Sequence, residues 1–252
     1  MTNPNTTHIL YRQAQFPIFQ NRMYDSKTEA INCLRGDIEL VEDFHSGLVQ
    51  NAVFQPELMI YDAYYQNEQA TSTLFQAHLE EISDLIQLTM GCEKLVEVGC
   101  GKGYFLEKLL DQGVDVVGFD PTYEGNNPRV KREYFGPDLG MSGKGLILRH
   151  VLEHIFDPVA FLYQLAQANH WQGLVYIEVP CFDWICDNCA WFDVFYEHVN
   201  YFRLSDFNRI FSKVYASGSI FGGQYLYLVA DLSSLRSSKG GEFEYFNFPK
   251  NF

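Results

Sequence analysis

The segment spanning residues 96–103 constrains the fold more than any other part of the chain. Its glycines stand at alternate positions, Gly99, Gly101 and Gly103, after a short apolar run that begins at Val96. Apolar residues at helical spacing follow the loop: Phe105, Leu106, Leu109 and Leu110. Glycines allow backbone N–H groups to approach a ligand closely, where a side chain would block it. A strand, a glycine loop and a helix in this order predict a nucleotide-binding α/β unit.

The same alternation of strands and helices continues along the chain. We predict strands at 94–98, 114–119, 130–135, 145–151, 174–179, 213–220 and 224–230. Helices are predicted over 72–90, over 105–110, from the Asp157-Pro158 cap onward, and after a cap at Ser205. Strands and helices at this spacing favour a mostly parallel seven-stranded sheet with helices on both faces. Its strand-to-helix loops then meet at one edge, where such folds bind ligands.

Three further segments surround this unit. Residues 1–70 show weak periodicity and are interpreted as an N-terminal arm or subdomain on the substrate side. The unit itself extends over 71–235, with an aromatic and irregular lid at 181–203. Residues 236–252 form a polar, glycine-containing tail.

Composition narrows the partners and the compartment. The net charge of −14 disfavours nucleic acid as a partner, because a negative surface repels phosphate backbones. A small anionic substrate needs only a few local cations, for which Lys102, Arg149 and Arg203 are candidates. We expect no signal peptide and no membrane span. Six cysteines without a secretory signal indicate reduced thiols in the cytoplasm.

Two carboxylates refine the glycine loop. Glu97 precedes it, and Asp120 ends the next predicted strand, where a carboxylate can accept both ribose hydroxyls of a nucleoside. The combination of E-x-G-x-G-x-G with Asp120 resembles the Rossmann-like class I methyltransferases that use S-adenosylmethionine (SAM). The resemblance implies that the cofactor-binding residues are Glu97, Gly99, Cys100, Gly101, Asp120, Pro121 and His150. Asp120 would bind the ribose, Pro121 would lie near the adenine, and His150 would contact SAM through its backbone. A purely structural glycine turn is the alternative.

Histidine-containing segments narrow the resemblance. R-H-V-L-E-H at 149–154 and Y-E-H at 196–198, together with E-V-P at 178–180, resemble the sugar C-methyltransferases that act on nucleotide-linked keto sugars. The tyrosine-rich stretch at 61–67 fits the same pattern, and the resemblance implies that Tyr61, Tyr65 and Asn67 bind the substrate. It implies a small-molecule partner, with a nucleotide sugar as the candidate.

The chemistry explains why such residues are needed. A carbon beside a ketone becomes nucleophilic only after it loses a proton, so a base and an enolate-stabilising donor are required. His198 is the expected base, and Glu197 or another carboxylate is expected to set its tautomer. Tyr196 and His154 are the expected donors to the enolate oxygen. For each histidine, a packing role is the alternative.

The chain also departs from the family pattern. Those relatives carry an N-terminal zinc module of two cysteine pairs and a second C-terminal α/β domain, whereas this chain has only Cys33 in the first region and ends at Phe252. Cys186 and Cys189 form a C-x-x-C. A zinc site needs four ligands and this segment does not provide them, so no metal is expected. O- or N-methylation of a small molecule remains an alternative function, as does a SAM-binding protein without activity.

Overall fold

The computed structural model describes residues 7–59, 72–236 and 248–249. Its strands in chain order are β1 (Thr7–Pro17), β2 (Arg35–Asp43), β3 (Val49–Asn51), β4 (Leu95–Val98), β5 (Val116–Phe119), β6 (Val130–Lys131), β7 (Gly145–Arg149), β8 (Leu174–Pro180), β9 (Asn200–Tyr201), β10 (Val214–Ile220) and β11 (Tyr225–Asp231). The α-helices are α1 (Lys27–Ile31), α2 (Thr73–Met90), α3 (Tyr104–Asp111), α4 (Pro158–Ala168), α5 (Phe182–Asp187) and α6 (Leu204–Ile210).

The central sheet has seven strands in the order β10-β11-β8-β7-β4-β5-β6. The strands from β8 to β6 pair in parallel, and only β10 and β11 run antiparallel to their neighbours. The prediction of a mostly parallel, Rossmann-like α/β sheet is therefore confirmed. Two apolar cores cover its faces: one includes α4 and α6 residues, and the other includes α2 and α3 residues.

Local signals place the helices where the sequence predicts them. The Ser72 hydroxyl accepts a hydrogen bond from the Phe75 N–H and caps α2, and Asp157 caps α4 through the Ala160 N–H. Helix α6 starts at Leu204, two residues earlier than a cap at Ser205 predicts, and Ser205 does not cap it. Instead, the Arg203 N–H donates to the Asp206 carboxylate, and the Arg203 guanidinium pairs with buried Glu42 of β2. Arg203 is thus committed to a buried ion pair.

The predicted strand at 130–135 was too long. Only β6 (Val130–Lys131) pairs with β5, because the charged run at 131–133 and Tyr134 remain exposed instead of entering the sheet. Phe135 then returns to the core and packs against Phe119. Alternating burial would have been needed to extend this edge strand.

The N-terminal region and the proposed lid form a second sheet, with the order β1-β2-β3-β9. Strand β9 belongs to the segment that was expected to be irregular, and it pairs with β3. Helix α5 lies in the same segment, and its Phe182 and Ile185 share an apolar core with β2. Residues 181–203 are therefore largely folded against the N-terminal sheet, because their aromatic side chains bury there.

The described helices do not combine the length and apolar character that crossing a bilayer requires.

Gly118 in β5 offers a test of the packing under the glycine loop. A Cβ at this position would lie 2.5 Å from Leu106 Cδ1 and 2.8 Å from Cys100 Sγ. We expect Gly118→Ala to destabilise the protein by about 1–3 kcal/mol, as overpacking typically does. Chemical denaturation measures the change. Gly136→Ala is the control, because a Cβ there meets nothing within 4 Å; an equal loss in both variants would contradict the packing described.

Candidate functional site

The glycine loop joins β4 to α3 and has the predicted backbone conformation. Gly99, Gly101 and Gly103 have φ of 74°, 54° and 80°, which side-chain-bearing residues rarely adopt. A Cβ on Gly99 would lie 2.6 Å from Val151 Cγ2, whereas one on Gly101 would meet nothing within 4 Å. Gly99 is therefore needed for close packing against the segment after β7, and Gly101 faces open space where a ligand can approach.

Asp120 ends β5 beside this loop. One carboxylate oxygen accepts the Gly101 N–H at 2.8 Å, and the other accepts the Thr122 N–H and hydroxyl at 2.8 and 2.7 Å. The contacts tie the carboxylate to the glycine loop, so the two predicted cofactor elements are brought together. Cys100 is buried against Gly118, which limits it to backbone contact with a ligand, while Pro121 is exposed beside Asp120.

Glu97 lies on β4 below the loop and is buried. Its Oε2 atom has no hydrogen-bond partner among the described residues. Burial, opposed by the charge of Arg149 and reinforced by that of Asp120, raises the pKa of Glu97 to about 7. A buried acceptor without a donor fits a ligand that brings hydroxyl or ammonium donors, as the SAM expectation requires.

The raised pKa of Glu97 predicts a pH-dependent stability. An acid whose pKa is higher in the folded than in the unfolded state destabilises the protein as pH rises from the unfolded value toward about 7. Glu97→Gln removes this penalty. The variant should therefore gain about 2–3 kcal/mol of unfolding free energy relative to wild type between pH 5 and pH 8. Urea denaturation of both proteins at the two pH values measures it; parallel stability curves would contradict a buried, unpartnered Glu97.

A buried carboxylate, Glu178 of β8, organises the sheet edge next to the loop. It accepts hydrogen bonds from four groups: His78 Nε2 at 2.9 Å, His150 Nε2 at 3.1 Å, Arg149 Nε at 3.2 Å and the Tyr176 hydroxyl at 2.9 Å. Burial alone would raise its pKa, but Arg149 and the two histidines hold the pKa of Glu178 well below its usual range. The sequence did not predict this centre, although E-V-P was noticed as a motif.

Arg149 belongs to this network and also reaches the cofactor side of the sheet. Its guanidinium lies over the Phe105 ring of α3, 4.4 Å from the ring centre. The side chain is only one-tenth exposed. Arg149 therefore links Glu178 with the helix that follows the glycine loop. Its positive charge also lowers the pKa of Glu97 and so opposes the effect of burial.

His150 stands between two acids. Its Nδ1 lies 3.2 Å from Glu153 Oε1, and its Nε2 contacts Glu178. Burial alone lowers the pKa of His150, but these two hydrogen bonds raise it to about 9, so it carries a positive charge at neutral pH. Both ring nitrogens of His150 are thus engaged with carboxylates. Contact with a cofactor through the His150 backbone stays a prediction.

Glu153 is a site residue that the sequence interpretation did not single out. It lies in the 3-10 turn Leu152–His154, is 1% exposed, and its Oε2 has no partner among the described residues. The signal was its spacing: it stands three residues after His150 and directly before His154. Ligand atoms of Glu153, His154 and His198 all lie within 4.8 Å of one another. We call these three residues the histidine–glutamate cluster.

The two histidines of the cluster have different surroundings. His154 Nδ1 donates to the Glu197 carbonyl oxygen at 2.9 Å, which leaves Nε2 as the acceptor nitrogen. His198 is buried, its ring packs against Phe195, and its Nδ1 has no partner within the described part of the chain. Burial, with the nearby His154 and His150, lowers the pKa of His198 well below its usual range. His198 is therefore neutral at neutral pH.

The remaining predicted site residues lie elsewhere. Tyr196 is fully buried, and its hydroxyl accepts the Gln55 N–H at 2.8 Å. The Glu197 carboxylate accepts the Gln20 N–H at 2.9 Å, and it is the Glu197 carbonyl that fixes a histidine tautomer, that of His154. Tyr61, Tyr65 and Asn67 lie outside the described residues.

Comparison with known proteins agrees with the geometry. Residues 61–214 match the family model described as "Methyltransferase domain", so the chain belongs to this family of methyltransferases. A search of curated proteins found no match. The structure is similar to human N-acetylserotonin methyltransferase in complex with SAM, at 12% identity and a TM-score of 0.51, over 65% of this chain and 54% of that one.

Two other similar structures are matched over nearly their whole length. A SAM-dependent methyltransferase from Archaeoglobus fulgidus is 16% identical, with a TM-score of 0.49 over 67% of this chain and 99% of that chain. The 1,6-didemethyltoxoflavin-N1-methyltransferase of Burkholderia thailandensis, with S-adenosylhomocysteine (SAH) bound, is 12% identical, with a TM-score of 0.47 over 83% and 98%. The expected cofactor, SAM, is consistent with the family match.

Proposed function

We propose that the protein transfers the methyl group of SAM to a small molecule whose acceptor atom must first lose a proton. One observation carries the proposal: Glu153 and His154 of the histidine–glutamate cluster lie in the turn after β7, and β7 pairs directly with β4, the strand that leads into the glycine loop. The contact between Val151 and Gly99 joins the two segments. Proton-handling groups and the cofactor loop therefore share one edge of the sheet.

The residues of the loop suit the cofactor. A Cβ on Gly101 would meet nothing within 4 Å, so a ligand can approach the loop there. Asp120 would accept the ribose hydroxyls, and Glu97 offers an unpartnered oxygen to a donor. When bound, SAM supplies a methyl group on a positively charged sulfur, which leaves with the bonding electron pair as SAH. The chain's own contribution is to orient the acceptor and to help remove its proton.

For the acceptor, we propose an enolisable carbonyl compound such as a nucleotide-linked keto sugar. Such a carbon is inert until a proton is lost, and His154 and His198 are the neighbouring groups that can act on that proton. His154 has the fixed tautomer that such a role needs. The resemblance of R-H-V-L-E-H and Y-E-H to sugar C-methyltransferases supports the acceptor class.

An exchange experiment tests the carbon acceptor. A keto-sugar nucleotide is incubated in D₂O with the protein and SAH, and exchange at the carbon beside the ketone is followed by NMR. We expect exchange with the wild-type protein and methylation of the same carbon when SAM replaces SAH. Methylation at oxygen or nitrogen, without exchange at carbon, would overturn the carbon assignment in favour of O- or N-methyl transfer.

A further inference from the structure

The histidine–glutamate cluster has an unusual lack of internal partners. Glu153 Oε2 and His198 Nδ1 are buried polar atoms, on side chains that are 1% and 6% exposed, and neither has a hydrogen-bond partner among the described residues. Leaving a buried polar atom unpaired is unfavourable, because no new hydrogen bond compensates for the lost contact with water. Two such atoms in one cluster of ligand-type residues indicate that something else satisfies them.

From this geometry, we infer that Glu153, His154 and His198 bind one divalent transition-metal ion, with zinc as the type case. Imidazole nitrogens and a carboxylate oxygen are the ligands that such ions take, and two histidines with one glutamate form a known catalytic zinc set. The ligand atoms lie within 4.8 Å of one another. Tetrahedral zinc places its ligands roughly 3.3 Å apart, so the three side chains would move closer together when the ion binds.

The residues around the cluster match the surroundings of a metal site. A metal-binding histidine usually donates its other ring N–H to a carbonyl or carboxylate, and His154 Nδ1 donates to the Glu197 carbonyl in this way. The other oxygen of Glu153 is held by His150, whose second nitrogen contacts Glu178. Neighbouring groups therefore already orient Glu153 and His154, and Glu153 Oε2 and His154 Nε2 are the atoms that remain for the ion.

Three protein ligands leave a tetrahedral ion one open position. The catalytic consequence rests on the proposed function: the ion would hold a hydroxide at its open position, and that hydroxide would take the acceptor's proton and become water, so the two histidines would act on the proton through the ion. His198 would then contribute as a neutral ligand. This inference revises the sequence prediction that no metal is bound.

Metal titration tests the site without any acceptor. Chelator-treated, dialysed wild-type protein is titrated with ZnCl₂ by calorimetry, and we expect one strong equivalent. Glu153→Gln, His154→Asn and His198→Asn should each weaken that equivalent by at least about 100-fold. His170→Asn and Cys189→Ser are controls, because both side chains are exposed and outside the cluster. Binding that is unchanged in all three cluster variants, or absent in wild type, would overturn the site.

A spectroscopic measurement on the wild-type protein covers the case of a variant that does not fold. Cobalt-loaded wild type should show d–d absorption without a thiolate-to-cobalt charge-transfer band, because the proposed ligands contain no sulfur. A thiolate band would move the ion to cysteines and overturn the proposal.

Activity and SAH binding together distinguish the metal site from the proposed function. Zinc-loaded protein should transfer methyl groups faster than chelated protein, and full turnover by the chelated protein would overturn the catalytic role of the ion. If neither form binds SAH while zinc still binds, the proposed function fails and the metal site stands. If SAH binds and zinc does not, the metal site fails and the proposed function stands.

Discussion

Asp120→Asn should weaken SAH binding by about 10- to 100-fold. A hydrogen bond from a buried ribose hydroxyl to a charged carboxylate contributes about 1.5–3 kcal/mol, and the amide removes that charge. The substitution preserves the size of the side chain, and its remaining oxygen can still accept from Thr122. Isothermal titration of SAH into the purified variant and wild type gives the two dissociation constants.

Asp115→Asn is the matched control for this experiment. Asp115 precedes β5, the strand that Asp120 follows, and it pairs with Arg129 at the surface. Its substitution should leave SAH affinity within a factor of about two, because surface ion pairs contribute little. Equal affinities of wild type and Asp120→Asn would show that Asp120 does not bind the ribose.

His198→Asn should lower turnover by about 1000-fold while SAH affinity stays within a few-fold of wild type. Groups that act on a proton in the transition state typically contribute 10²–10⁴-fold, and asparagine can neither accept that proton nor reproduce an imidazole ligand. The change lies in the segment before β9, away from the glycine loop in sequence. Single-turnover methyl transfer from labelled SAM, combined with SAH titration, separates the two effects.

His170→Asn controls for the loss of a histidine as such. His170 is exposed in the turn after α4 and has a φ of 56°, which asparagine tolerates. Thermal unfolding of both variants should show that His198→Asn is folded at the assay temperature. Turnover of folded His198→Asn within a few-fold of wild type would return His198 to a packing role.

Much of the fold around the glycine loop could be predicted because local chemistry decides it. Alternate glycines between an apolar strand and a helix have few other uses, and Asp120 could be placed because parallel strands end at a common edge. The strands at the centre of the sheet were predictable for the same reason: β4 is buried along its whole length. At the edge, where charge competes with pairing, the predicted strand at 130–135 was too long, and only its first two residues pair with β5.

The region around the histidine–glutamate cluster depends on contacts that join distant segments. His154 and Glu197 are 43 residues apart, and Glu178 and His78 are 100 residues apart, so no local pattern reveals that they touch. The segment at 181–203 looked irregular because its aromatic residues follow the shape of the N-terminal sheet instead of a repeat. Glu153 was overlooked because a glutamate between apolar residues and a histidine resembles an ordinary exposed turn residue, whereas here it is buried.

The central claim is that this methyltransferase-family chain binds SAM through its glycine loop and Asp120. Calorimetric titration of wild-type protein with SAH tests it most directly. The account predicts one binding site per chain, saturable at micromolar concentrations, that is competed by SAM. The absence of detectable binding to folded wild-type protein would contradict it.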